Sequence, residues 1–122
     1  MLYAILCYDS EDVVSAWTKE EDDAVMAKLH VVHEKLERQG RLGPTARLLP
    51  TTSATTVRKG AEPLVIDGAF AETKEQLLGF YLVECESLEE AIGTAKDLAR
   101  ASSSAGSYEI RPVGLFMPGS VE

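Results

Sequence analysis

The chain has 122 residues, of which 45% are hydrophobic and 26% charged, with 20 acidic residues against 12 basic for a net charge of −8. That length and mix predict one globular domain over residues 1–122, large enough to bury a core. The negative balance argues against nucleic-acid binding, which needs a concentrated positive surface, and against attachment to anionic lipid, which leaves a small molecule or a protein as the expected partner.

Met1 to Tyr8 is a short, continuous apolar run stopped by Asp9 and Ser10, the pattern of a buried strand. No basic segment precedes it, so it does not read as a secretory signal. Residues 18–39 predict a helix. Thr18 and Glu21 form a capping box, and acidic residues crowd the first turn. Val25, Leu29, Val32 and Leu36 form one apolar stripe, and Gly40 is a natural stop. Residues 41–53, with Gly43, Pro44 and Pro50, are expected to hold at most a short strand.

Thr55 to Arg58 and Leu64 to Asp67 predict a hairpin, followed by a turn at Asp67-Gly68. Ala71 to Gln76 is polar and reads as exposed or site-lining. Leu77 to Cys85 is a second strand that is apolar on both faces. Ser87 caps a second helix with Glu90 as its partner, and Leu88, Ala91, Ile92, Ala95, Leu98 and Ala99 make its expected buried stripe. Tyr108 to Val113 is the last strand.

This order predicts an α+β fold, a ferredoxin-like βαββαβ arrangement with an inserted β-hairpin. Both helices then lie on one face of the sheet. The other face is apolar too: Leu2, Ala4, Leu6 and Tyr8 oppose Tyr3, Ile5 and Cys7, and Phe80 and Leu82 oppose Tyr81 and Val83. A half-solvated strand alternates apolar with polar residues. A homodimer is therefore expected to cover the second face, unless the hairpin or the C-terminal tail folds back over it.

Cys7 and Cys85 belong to no CxxC pair and read as buried free thiols in a reducing compartment. No stretch approaches the roughly 20 apolar residues of a membrane helix, so no membrane association is expected and the cytoplasm is the expected location. The sequence holds no Walker A loop, no GxGxxG after the first strand and no zinc-binding HExxH or CxxC. No cofactor and no metal are expected.

The titratable residues offer a candidate site. His33 lies about 70° from the centre of its helix stripe and His30 about 130°. His33 thus sits at the border of core and solvent, and His30 points outward with Glu34 four residues on. A histidine can act as general acid or base near neutral pH. Asp67 ends a hairpin strand and Asp9 ends the first strand. Glu72, Lys74 and Glu75 form a charged loop. Arg58 and Arg111 lie in strands, where each pairs with a carboxylate across the sheet or holds an anionic ligand.

The run Asp67-Gly68-Ala69-Phe70-Ala71-Glu72-Thr73-Lys74-Glu75-Gln76-Leu77, followed by Gly79-Phe80-Tyr81, resembles the DGPF signature of YCII-related proteins. Leu6 to Asp9, Ala54 to Arg58 and Tyr108 to Val113 match the same pattern, and Ala69 stands where the family usually has proline. The resemblance implies a dimeric α/β barrel of ferredoxin-like subunits with a cleft carrying a histidine–aspartate pair. It also implies that some relatives use acid/base chemistry on ring lactones or chlorinated rings. Others have no established activity and occur beside extracytoplasmic-function sigma factors. Carried over, the pair is Asp67 with His33, His30 being the other choice. Arg58 or Arg111 would hold a substrate carboxylate, with Tyr8, Asp9, Glu72 and Lys74 around the site. Two classes stay open: an enzyme acting on a small anionic or ring substrate, and a non-catalytic ligand-binding or regulatory module.

Overall fold

A computed structural model describes residues 1–102 and 104–121. Among the described residues, six strands and three α-helices run in the order β1 (Leu2–Asp9), α1 (Glu11–Ser15), α2 (Lys19–Arg38), β2 (Leu42–Arg47), β3 (Thr55–Arg58), β4 (Leu64–Asp67), β5 (Gln76–Glu84), α3 (Leu88–Ala101) and β6 (Ser107–Pro112), with a single 3-10 turn at Thr51–Ser53. Four strands make one antiparallel sheet in the order β2-β5-β1-β6, and β3 pairs with β4 in a separate two-stranded sheet. The four-stranded order and the helix placement are consistent with a ferredoxin-like fold.

Alternation along the strands decides what each face does. Tyr3, Ile5, Val83 and Cys85 turn toward the helices and join Leu36, Ala91, Ala95 and Leu98 in the core. Ile5, Val83 and Leu98 are fully buried. Leu2, Ala4, Leu6, Phe80 and Leu82 alternate with them on the other face and are only half-buried. The buried stripe of α3 is Ala91, Thr94, Ala95, Leu98 and Ala101. Leu88, Ile92 and Ala99, expected in that stripe, are exposed instead: the buried alanines let α3 lie close on the sheet and turn the larger Leu88 and Ile92 to its flank.

Helix α2 is held at both ends. Thr18 accepts from the Glu21 N–H at 3.1 Å and Glu21 accepts from the Thr18 N–H at 3.2 Å, completing the capping box. At the other end Gly40 takes φ +67, which favours glycine. There the Gly40 N–H bonds to the Glu37 carbonyl at 3.0 Å and the Arg41 N–H to the Leu36 carbonyl at 2.9 Å, a Schellman turn. Arg41 then clamps α2 to α3 and β5. It donates to Thr94 Oγ1 at 2.7 Å and to the Glu84 carbonyl at 3.0 Å, and its Nε lies 3.1 Å from Glu90 Oε1.

Two local features shape the end of the sheet near residues 7–9. Between Cys7 and Tyr8 the β1–β5 register slips, so that Cys7 faces Gly79 and Tyr8 faces Leu77; this is a bulge that re-aims the chain. Beside it, β2 runs so close to Gly79 that a Cβ there would run into the Ala46 carbonyl oxygen and approach Arg47 Cα to 3.1 Å. Strand β2 spans six residues, with its register against β5 shifted between Leu42 and Thr45, where the glycine and proline content led to at most a short strand.

Gly79→Ala therefore forces β2 away from β5. It should cost about 1–3 kcal/mol, as overpacking does, read as a lower midpoint in urea unfolding; a midpoint equal to that of the wild type would refute the close approach.

Candidate functional site

Helix α2 rests on the sheet through Leu36 and Val32 and leaves a space under its N-terminal half. That space is a cavity of about 320 Å³, within the range of small-molecule pockets. Its roof is Val25, Met26, Leu29 and His33 of α2, with Val14 and Trp17 at the side. Its floor is Cys7, Tyr8, Asp9, Phe80, Tyr81 and Tyr108 from three strands, and Thr45 and Arg47 of β2 close one edge. Apolar and aromatic surface predominates, with few polar groups converging on it.

His33 is the centre of the polar set. Its Nε2 lies 2.9 Å from Tyr81 Oη, and the two rings are 5.2 Å apart. Either ring tautomer satisfies this bond: the phenol donates to a bare Nε2, or Nε2–H donates to the phenol oxygen. Burial lowers the His33 pKa, and neighbouring His30 lowers it further, while Glu37 opposes both. Burial pushes the Tyr81 phenol up to about 12, with Cys7 adding to the rise and Arg47 opposing it. Tyr108 is pushed above the ordinary phenol range, again first by burial. Both members of the His33–Tyr81 pair are thus biased to the neutral form at pH 7 and can pass a proton either way. Burial also raises the Cys7 thiol to about 12. Cys7 is then a packed thiol rather than a nucleophile, and Cys85 is fully buried in the core.

The structure gathers some of the expected site residues and disperses others. His33, Tyr8 and Asp9 line the cavity, and Asp9 Oδ1 accepts from the Ser10 N–H at 2.8 Å. His30 points outward, as its angle predicts, and pairs with Glu34 at 3.2 Å. Asp67 sits exposed at the end of β4, outside the cavity lining, and within the chain the partner of His33 is Tyr81. Arg58, Glu72 and Lys74 are also exposed and outside the lining. Arg111 pairs with Glu109 at 2.6 Å. It faces Ala4 across the sheet, on the side away from the helices, so alternation keeps it out of a cavity that lies under α2.

Three contributors went unseen in the sequence. Tyr81 was legible as a residue sharing a face with Val83, but not as the partner of His33, which is 48 residues away. Arg47 lies in the glycine- and proline-containing segment whose strand reads weakly. Trp17 follows α1, a five-residue helix capped by Ser10 that carries no periodic signal. Among the described residues, no group of three or more His, Cys, Asp or Glu is placed to hold a metal ion, and no helix is long and apolar enough to cross a membrane.

With this geometry in hand, comparison with known proteins decides the lineage. The YCII-related domain matches residues 1–117. The chain belongs to the YCII-related family. A relative from Rhizobium meliloti (strain 1021), itself described as uncharacterised, is 58% identical over 122 residues, covering 99% of this chain and 98% of the relative. The YCII match spans the cavity-lining strands and helices alike, so the cavity belongs to the family domain and not to an appended segment.

The shifted His33 has a measurable consequence. Because folding lowers its proton affinity, the unfolded chain takes up the proton first. The stability due to neutral His33 is complete above about pH 6.5, the ordinary histidine value, and is lost as pH falls from there through the folded value. An NMR titration should give His33 a midpoint below 6.5 in the folded protein; a midpoint at or above 6.5 would contradict its burial against Tyr81.

Proposed function

We propose that this protein binds a small anionic or ring compound in the cavity under α2 and moves a proton on it by general acid/base chemistry at His33. The observation that carries this reading is the 2.9 Å contact between His33 Nε2 and Tyr81 Oη inside a largely apolar, small-molecule-sized cavity. A neutral imidazole joined to a protonated phenol takes a proton at one atom and releases one at the other without creating a buried charge. The aromatic walls suit a ring. In this reading Tyr81 takes, within the chain, the orienting place that the family resemblance gives to Asp67. The second reading, a non-catalytic ligand-binding or regulatory module, is favoured by the position of Asp67 outside the cavity lining.

The same proposal includes a homodimer. Leu2, Ala4, Leu6, Phe80 and Leu82 make an apolar sheet face without a helix over it. Val57, Leu64, Val65 and Phe70 are exposed on and beside β3 and β4, as are Leu115 and Met117 in the tail. Covering such side chains stabilises by about 1.5–3 kcal/mol for each one fully buried. A second copy supplies that cover with a self-complementary patch. Sedimentation velocity at micromolar protein should give twice the subunit mass; a lone subunit would remove the dimer.

Deuterium incorporation reports proton transfer whatever the product. Carboxylated ring lactones incubated with the protein in D2O should exchange an acidic C–H, followed by proton NMR. His33→Ala should slow that exchange by roughly 10²–10⁴-fold, and Tyr81→Phe should slow it less. Exchange at the wild-type rate in His33→Ala would exclude His33 as the base, and saturable binding without exchange would favour the binding module.

A further inference from the structure

Among the described residues lining the cavity, Arg47 is the one side chain that carries a permanent positive charge. It stands at the edge of the sheet because Gly79 lets β2 approach β5 closely. Its Nη2 lies 3.7 Å from Asp22 Oδ1, well beyond the about 2.7–2.9 Å of a charge-assisted hydrogen bond. The two side chains remain 61% and 39% exposed, so their pairing is loose and solvated. Arg47 and Asp22 also line a second hollow, of about 500 Å³, that opens beside Trp17. The pair therefore stands where the two spaces meet, within reach of a ligand in either.

We infer that Arg47 is the anion anchor of the cavity and Asp22 its internal stand-in for a ligand carboxylate, so that the site selects a ring compound bearing one carboxylate. The inference rests on the cavity being a small-molecule site. A guanidinium fork binds a carboxylate through two parallel N–H···O bonds. A ligand carboxylate that makes both displaces Asp22 and replaces a loose contact with a tight one. The ring then lies against the aromatic wall of Trp17 and Tyr81. Charge limits the ligand to a single anionic group. Once Asp22 is displaced, Asp9 and Asp22 still face the cavity, and one guanidinium neutralises one ligand charge. A second carboxylate on the ligand would meet protein carboxylates with no cation to pair with, and the neutral bias of His33 offers none.

Calorimetric titration of the full chain with benzoate, benzamide and phthalate, with the Trp17 indole N–H followed by NMR, tests this. Benzoate should bind at least about 10-fold more tightly than its neutral isostere benzamide, the difference a charged hydrogen bond makes, and phthalate should bind more weakly than benzoate. Arg47→Gln should erase the advantage of benzoate over benzamide. Arg47→Lys, which keeps the charge without the fork, should lose part of it and serves if Arg47→Gln does not fold. Asp22→Asn should tighten benzoate several-fold by removing the competing carboxylate. Equal binding of benzoate and benzamide, with the Trp17 signal shifting for both, would overturn the anchor while leaving the cavity as a small-molecule site. No Trp17 shift with any of the three would overturn both.

Discussion

The seating of α2 is the constraint on which the cavity depends. Its C-terminal end is tied down three ways: Leu36 in the core, the Schellman turn at Gly40, and Arg41 reaching Thr94, Glu90 and the Glu84 carbonyl. Its N-terminal half is capped by Thr18, buries Val25 and is tied to β2 only through the loose Asp22–Arg47 pair. A rigid helix pinned at one end cannot follow a twisted sheet along its whole length. The sheet beneath also breaks register between Cys7 and Tyr8. The gap this leaves is lined by whatever side chains face it, and those are His33, Tyr81 and their aromatic neighbours.

Burial then sets the chemistry of the gap. Charged forms are disfavoured there, so the histidine is held neutral and the phenols and the Cys7 thiol stay protonated. A site of this kind favours moving a proton between neutral groups over stabilising a thiolate or a phenolate. Formal charge is confined to the margins, at Asp9 on one side and at Arg47 with Asp22 on the other. An apolar interior with polar groups at defined points orients a small molecule by its few polar atoms.

The two faces of the sheet divide the labour. The helix face holds the core and the cavity, and the other face offers leucines and a phenylalanine to an apolar cover. Arg111 shows what that division means for function: it lies in a strand of the same sheet, yet alternation puts it on the far side, beside Glu109. Arg47 differs in standing where β2 passes close to Gly79, at the edge of the cavity.

By itself the sequence determined the elements and the general class. Periodicity located α2 and α3, capping residues marked their starts, and Thr55 to Arg58 pairs with Leu64 to Asp67 as the hairpin pattern predicts. The apolar run at the start of the chain and the one around Phe80 marked central strands, and the signature around Asp67 pointed to the YCII-related family that the comparison shows. These signals are local, because each arises from neighbours within a turn or a strand. The outward direction of His30 and the border position of His33 were legible for the same reason. Only the tertiary structure decided what His33 faces. Its contact with Tyr81 depends on how far α2 stands from the sheet, which is set by core packing and by the Arg41 clamp. Arg47 entered the site, and Asp67 and Arg58 stayed outside its lining, because strand register and a backbone approach at Gly79 are settled between segments distant in the chain, where no periodic pattern reaches.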